Sequence, residues 1–287
     1  MTRSEFAARL AQGPLLLDGA TGSNLMKAGM PKGVCAETWI LDHPQAILDL
    51  QRAYVAAGSQ VLLAPTFTAG RMYLSQHGLE GELKELNRCL VALSREAAQG
   101  KAWVAGDMTT MGRADVPYET MLEYYTEQAR ALVDAEVDLI LCETLMGFEE
   151  AMAALEGCRM ADADLPVCCS FSVTADGMLY FGGSVFEAAP QLEGFGADAV
   201  GTNCSVGPDQ LESVVRSLRE SLSVPVIAKP NAGMPEIDAQ GNARYSMNAE
   251  EFGRHMAALH RAGAVILGGC CGTEPAYIRS LCAALQG

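Results

Sequence analysis

Basic residues are scarce in this sequence. It has 20 Lys and Arg against 35 Asp and Glu, which gives a formal net charge of −15 at pH 7. A field of that sign repels phosphate backbones and anionic headgroups, so we expect neither nucleic acid nor a membrane surface as a partner. Long apolar runs are also missing. None exceeds five residues (Cys89–Leu93 is one), whereas a membrane span needs about 20.

Histidine is rare too, and the chain starts without an apolar export segment. None of the 4 histidines ends a predicted strand, which argues against a Ser–His–Asp hydrolase or a His-rich metal site. Met1–Glu5 leads into no apolar stretch, so we expect a cytoplasmic protein. In that setting the 10 cysteines indicate reduced thiols or metal ligands.

What the sequence does contain is a recurring unit, in which a short apolar run is followed by a longer stretch with helical spacing. The runs show little polar alternation, as expected for parallel strands covered on both faces. They lie at Pro14–Ala20, Gln60–Thr66, Ala102–Met108, Val137–Thr144, Val167–Val173, Ala197–Cys204, Val224–Asn231 and Ala264–Cys271.

Eight such units without a dividing linker predict one α/β domain over residues 1–287, a single (β/α)8 TIM barrel. A doubly wound sheet is the alternative. It would usually carry a Gly-rich dinucleotide loop after its first strand, and Gly19–Gly22 matches only half of that pattern.

Three cysteines fall where such barrels carry out their chemistry, at the carboxyl ends of the strands. Cys204 ends the sixth predicted strand and Cys270–Cys271 ends the eighth. Three thiolates with an open fourth position are typical of a catalytic zinc site, although buried cysteines can also be simple core residues. Adjacent strand residues point to opposite faces, so we expect Gly269 and Gly272 to let the chain turn at the pair.

The charge of such a site suggests a reaction. Zinc with three thiolates carries about −1, which makes it a poor activator of water but still able to acidify an incoming thiol. Asp18 and Glu143 end the first and fourth predicted strands, where they could hold a substrate ammonium, and the N–H groups of Gly19–Gly22 could hold its carboxylate. The alternatives are a helix cap for Asp18 and a buried ion pair for Glu143.

A different chemistry is also possible at the seventh strand. Lys229 ends that strand and could form a Schiff base in an aldolase-like barrel, with Gly268–Gly269 binding phosphate.

Six segments together resemble the homocysteine S-methyltransferase family, most of all the homocysteine-binding barrel of cobalamin-dependent methionine synthase. They are Asp18–Ser23, Pro65–Phe67, Cys142–Thr144, Gly201–Pro208, Lys229–Gly233 and Gly268–Thr273. The resemblance covers nearly the whole chain in the right order, and it independently implies a (β/α)8 barrel.

The resemblance also implies roles for particular residues. It implies one zinc ion per chain, held by Cys204, Cys270 and Cys271, with the homocysteine sulfur as fourth ligand. Asp18 and Glu143 would contact the substrate amino group beside Gly19 and Ala20, and Thr66 would lie near its carboxylate or backbone. Asn231 would lend an oxygen to zinc while substrate is absent.

Three loops depart from the family pattern, and the methyl donor is open for that reason. The departures are Thr21 with Ser23, Pro65, and the segment Asp107–Met111. Gly19–Ala20 resembles the cobalamin-linked branch, since relatives that use sulfonium donors tend to carry Gly-Gly there. The Asp-x-His-x-x-Gly signature of a cobalamin module is not in the sequence. We therefore expect methylcobalamin to come on a separate corrinoid protein, with a small donor such as S-methylmethionine as the alternative.

Overall fold

The computed structural model describes residues 1–238 and 243–286. Its strands are β1 (Leu15–Leu16), β2 (Val61–Leu63), β3 (Trp103–Thr109), β4 (Leu139–Leu145), β5 (Val167–Phe171), β6 (Ala199–Asn203), β7 (Val226–Lys229), β8 (Pro235–Ile237), β9 (Ala243–Tyr245) and β10 (Ala264–Leu267). Its α-helices are α1 (Arg3–Leu10), α2 (Gly22–Lys27), α3 (Ala36–Asp42), α4 (Pro44–Ala57), α5 (Arg71–Leu74), α6 (Leu83–Ala98), α7 (Tyr118–Asp134), α8 (Phe148–Ala161), α9 (Val185–Gly194), α10 (Glu212–Ser221), α11 (Ala249–Ala262) and α12 (Pro275–Ala284).

Eight parallel strands form the sheet, in the order β1-β10-β7-β6-β5-β4-β3-β2. Apart from β1 and β2, which stand at the two ends of this order, consecutive barrel strands pair with each other, and the helices lie outside. This confirms the predicted (β/α)8 TIM barrel. The carboxyl ends of all eight strands therefore open on one face, which is where such barrels hold their sites.

Side chains help to close the barrel between β1 and β2. The Gln60 N–H donates to Leu16 O at 2.7 Å, and Gln60 Oε1 accepts the Leu16 N–H at 3.0 Å. Further along the seam, Asp18 Oδ2 accepts the Leu63 N–H at 3.0 Å. These side-chain acceptors satisfy backbone donors that a longer ladder would otherwise pair.

The barrel interior is apolar at its amino end and becomes polar at its mouth. Inward residues include Leu15, Leu63, Ala105, Leu141 and Ile227, and they pack against Phe6 of α1. Phe6 is 1% exposed, so α1 plugs the amino end of the barrel. Because strand side chains alternate, the next inward positions on β3, β4 and β7 are Asp107, Glu143 and Lys229.

The helix signals in the sequence locate the outer layer well. Pro44 begins α4, and Gly58 ends it in the left-handed conformation. Asn248 caps α11, because its side chain accepts the Glu251 N–H and the Glu251 carboxylate accepts the Asn248 N–H. Pro208 opens only a short 3₁₀ turn before α10 begins at Glu212. Within the described ranges, no helix has both the length and the apolarity to cross a membrane.

Some elements were not predicted, and one of them reaches the barrel mouth. β8 and β9 pair antiparallel after β7, in a segment where the sequence has no clear alternation. The strands predicted to end at Ala20 and Cys271 are also shorter, ending at Leu16 and Leu267. Asp18, Cys270 and Cys271 therefore lie on loops just beyond their strands.

Candidate active site

The three cysteines named from the sequence come together at the barrel mouth. The Sγ atoms of Cys204, Cys270 and Cys271 all lie within 4.8 Å of one another. Four sulfurs at about 2.3 Å from a tetrahedral zinc lie about 3.8 Å apart, so the cluster has the size that zinc requires. Across residues 1–238 and 243–286, no second group of His, Cys, Asp and Glu side chains has this geometry.

Cys204 reaches the cluster through a bend that the sequence does not predict. Cys204 and Ser205 have φ angles of 59° and 61°, a left-handed conformation that is unfavourable for residues with a side chain. The Cys204 N–H donates to Lys229 O at 3.2 Å, and the Val206 N–H donates to Cys204 O at 2.8 Å. These bonds hold the bend against its strain.

Asn203 ties that bend to the neighbouring strands. Its Oδ1 accepts the Ser170 hydroxyl at 2.7 Å and the Thr144 N–H at 2.7 Å, and its Nδ2 donates to Thr144 Oγ1 at 2.8 Å. Asn203 is fully buried, so these bonds anchor Cys204 to a rigid part of the barrel.

Cys270 and Cys271 face one cluster because the chain turns at the pair, as predicted. Gly272 has a φ of 81°, and a Cβ there would lie 2.4 Å from the Tyr245 ring. Gly269 has another role than the predicted turn, since a Cβ on it would lie 2.4 Å from Thr273 Oγ1. Gly272 thus allows the turn, and Gly269 allows close packing against Thr273.

Tyr245 covers the sulfur cluster from the β8–β9 hairpin. Its hydroxyl lies near the Cys271 sulfur and helps to lower the pKa of that thiol. The larger effect comes from the neighbouring Cys204 and Cys270, which lower the pKa of Cys271 to about 3. The proximity of Cys270 and Cys271 raises the pKa of Cys204. The cluster therefore stabilises a thiolate on Cys271, and a cation is needed before all three sulfurs can be anionic.

The donor set fits zinc. Three soft sulfurs suit zinc far better than Mg²⁺ or Ca²⁺. Asn231 Oδ1 is buried near the cysteine loops and has no hydrogen-bond partner among the described residues. The Asn231 N–H donates to Val206 O at 3.1 Å, which holds its backbone beside the Cys204 bend.

Next to the sulfurs lies a buried group of charges. Lys229 Nζ is 3.0 Å from Glu143 Oε2 and 3.3 Å from Oε1, and both side chains are 4% exposed. Glu143 therefore forms a buried ion pair, which is the alternative that the sequence analysis gave for it. It also weakens the Schiff-base alternative, because Glu143 and its neighbours overcome the opposing effect of burial and raise the pKa of Lys229.

Asp18 and Asp107 lie in the same buried group. Each has a buried Oδ1 for which the described part of the chain offers no hydrogen-bond partner. Burial raises the pKa of Asp18 to about 7, against the opposing effect of Lys229. Burial raises the pKa of Asp107 as well, and the charge of Glu143 adds to that effect. The mouth thus holds more carboxyl groups than cations.

Thr66, Gly19 and Ala20 lie at the same mouth, where their polar groups are engaged within the protein. Thr66 Oγ1 donates to Asp107 O at 2.9 Å and accepts the Asp107 N–H at 3.0 Å. The Ala20 N–H donates to Thr273 Oγ1 at 3.1 Å. A Cβ on Gly19 would lie 2.7 Å from Tyr54 Oη, so only glycine fits there. These contacts shape the walls around the charges.

The sequence analysis does not predict the roles that two site residues have in the structure. It proposes Lys229 only as a nucleophile, although a lysine at a strand end beside carboxylates is also a signal for an ion pair. Tyr245 carries no sequence signal that would place it on the cysteines, because its position depends on the fold of the β8–β9 hairpin.

The fold and this site define the class of protein: a (β/α)8 barrel with three cysteines at its mouth that are arranged to bind a metal ion. A model of the homocysteine S-methyltransferase family matches residues 15–285. The chain belongs to that family, which confirms the resemblance drawn from the motifs.

Individual relatives agree with the family match. The methionine synthase of Mycobacterium tuberculosis is 29% identical over 96% of this chain, and that of Mycobacterium leprae is 28% identical over 96%. This chain spans only about a quarter of the length of either relative.

A solved structure matches over nearly its whole length. It is the metallated form of the homocysteine methyltransferase MmuM from Escherichia coli, with a TM-score of 0.82 and 25% identity, covering 96% of this chain and 98% of that one. An oxidized form of MmuM matches with a TM-score of 0.81.

Proposed function

We propose that this protein is a zinc-dependent methyltransferase that methylates the sulfur of homocysteine to give methionine. The observation that carries the proposal is the gathering of three cysteine sulfurs within 4.8 Å, beside a buried group of carboxylates at one barrel mouth. Membership of the homocysteine S-methyltransferase family supports the choice of substrate.

In this proposal Cys204, Cys270 and Cys271 hold one zinc ion per chain, with Asn231 Oδ1 as an oxygen donor while substrate is absent. The bound zinc supplies acidification of the homocysteine thiol, so that the sulfur is a thiolate at neutral pH. Tyr245 limits the access of water to the sulfurs, since its ring lies over Gly272.

The remaining site residues bind and orient the amino acid part of homocysteine. Asp18 and Glu143 receive its ammonium, and the chain around Gly19, Ala20 and Thr66 forms the wall against which its carboxylate lies. Orientation matters because methyl transfer needs the sulfur in line with the methyl group and its leaving atom. The sulfur lone pair forms the new S–CH₃ bond, and the electron pair of the broken bond leaves with the donor.

We propose a methylcorrinoid on a separate protein as the methyl donor. Several large apolar side chains are exposed on the segments that follow β1, β5 and β7, at the mouth side of the barrel; they include Met26, Val34, Met178, Tyr180, Met234 and Ile237. An exposed apolar rim around a site is typical of a surface that another protein covers.

We also propose that the protein works in the cytoplasm, where thiols are kept reduced.

The test compares donors at equal homocysteine concentration with zinc-loaded protein. We expect slow methylation from free methylcobalamin, and a rate higher by orders of magnitude with a methylated corrinoid protein from the same cell. Methionine is measured by mass spectrometry.

Two results would contradict parts of the proposal. Fast turnover with S-methylmethionine, and no gain from any corrinoid protein, would overturn the donor while leaving homocysteine methylation in place. No methionine from any donor, with zinc bound, would overturn the function itself.

A further inference from the structure

Asp107 is a buried carboxylate for which the proposed function has no use so far. It lies on β3, two residues beyond the inward Ala105 and therefore on the same face of the strand. β4 is its direct neighbour, with Asp107 opposite Leu141 and Thr109 opposite Glu143. Asp107 thus points into the mouth, one layer above the apolar interior.

Among the described residues, the buried Oδ1 of its side chain has no partner that would offset its burial. The residue is 6% exposed, and in the described chain its Oδ1 makes no hydrogen bond. By contrast its backbone is held firmly, because the Thr66 hydroxyl bonds to both its N–H and its C=O. A buried carboxylate without a partner is costly, and a fixed one that faces a binding site indicates a cationic ligand.

The nearby cation does not meet this need. Lys229 Nζ lies between the two oxygens of Glu143, at 3.0 and 3.3 Å. The charges of Glu143, Lys229, Asp18 and Cys270 all act on Asp107. Lys229 therefore balances one carboxylate of the group, and within residues 1–238 and 243–286 the oxygens Asp18 Oδ1 and Asp107 Oδ1 have no hydrogen-bond partner.

From this arrangement we infer that Asp107 is a specificity-determining residue that, together with Asp18, receives the ammonium group of the acceptor thiol. The inference rests on the proposed function and deepens it. Glu143 shares its charge with Lys229, so of the three carboxylates around the ammonium site those of Asp18 and Asp107 lack an ion-pair partner within the described residues. Contact with that cation also favours the ionised form of Asp107, which burial by itself disfavours.

The test separates the ammonium from the sulfur by means of two acceptors. Homocysteine carries the ammonium, and 4-mercaptobutanoate is the same thiol acid without the amino group. Binding to zinc-loaded protein is measured by calorimetry for the parent, Asp107→Ser and Asp107→Glu. We expect Asp107→Ser to weaken homocysteine by about tenfold to a hundredfold and to change 4-mercaptobutanoate by less than about threefold. Asp107→Glu, which retains the charge, should recover part of the preference.

Zinc content and thermal unfolding are checked first, and Asp107→Glu supplies the comparison if Asp107→Ser does not fold. An unchanged ratio of the two affinities in Asp107→Ser would overturn the role of Asp107 and leave the proposed function intact. If Asp107→Glu alone folds, a preference for homocysteine lost in spite of the retained charge would overturn it. If the parent binds neither acceptor while loaded with zinc, the proposed function and this inference both fail.

Discussion

The Asp18 carboxylate accepts the N–H of Leu63 at 3.0 Å, across the seam where the first and second strands close the barrel. One oxygen of this residue is thus used for the fold, and the other, Oδ1, has no hydrogen-bond partner in the described part of the chain. A residue proposed to bind substrate is therefore built into barrel closure. Its substitution is expected to change stability as well as binding.

Asp18→Asn should make stability less sensitive to pH. The pKa of Asp18 is about 7 in the folded chain against about 3.9 in an unfolded one, so the folded state holds this proton more tightly. The parent then loses stability as pH rises from about 4 to about 7, by about 4 kcal/mol from this group. The Asn variant keeps an oxygen for Leu63 and does not titrate.

Urea unfolding of both proteins between pH 4 and pH 8, in the same metal state, measures the difference. The free energy of unfolding of Asp18→Asn minus that of the parent should increase with pH up to about 7. Asp176→Asn, an exposed substitution after β5, is measured as the control for the same chemical change on the surface. A difference between Asp18→Asn and the parent that does not change with pH would contradict the raised pKa of Asp18.

Cys204→Ala and Cys271→Ala should each lose zinc while keeping the barrel. The ladder of eight strands and its apolar interior do not depend on the sulfur cluster, so circular dichroism should be nearly unchanged. Metal analysis should find about one zinc per chain in the parent and in the control Cys89→Ala, whose sulfur lies on α6 beside Glu85. Zinc retained in full by both site variants would show that the ligands are elsewhere.

Homocysteine binding should release a proton near neutral pH. A free thiol with a pKa of about 8.5 is mostly protonated at pH 7, so binding as a thiolate must release close to one proton from the sulfur. Calorimetry in two buffers with different ionisation enthalpies gives the total release, which also includes any proton that the ammonium displaces from Asp18 or Asp107. Equal heats in the two buffers would rule out binding through an ionised sulfur.

Glu143→Gln should weaken homocysteine and leave zinc in place. The change removes a carboxylate from the ammonium site, which costs about 1.5–3 kcal/mol of binding. It also leaves the Lys229 ammonium, 4% exposed, without its counter-charge, so the melting temperature should fall. Glu149→Gln, exposed at the start of α8, is the matched control. Homocysteine bound as tightly by Glu143→Gln as by the parent would exclude the ammonium role.

Much of the outer architecture followed from local signals. Pro44 and Gly58 mark the two ends of α4, and the Asn248 cap marks the start of α11, because caps and turns act over a few neighbouring residues. The strands were found from short apolar runs, but the ends of β1 and β10 were placed too late. A run of apolar residues does not show where pairing with a neighbour stops.

The sequence by itself determined the barrel, the three cysteines and the family, because periodic burial and short motifs are local properties. Only the tertiary structure decided how the charges pair. Lys229 and Glu143 are 86 residues apart in the chain, and because they pair, Asp107 has no ion-pair partner among the described residues. Tyr245 likewise reaches Gly272 only through the fold of a hairpin. Such contacts depend on distances across the barrel mouth, and these are set by the closure of all eight strands together.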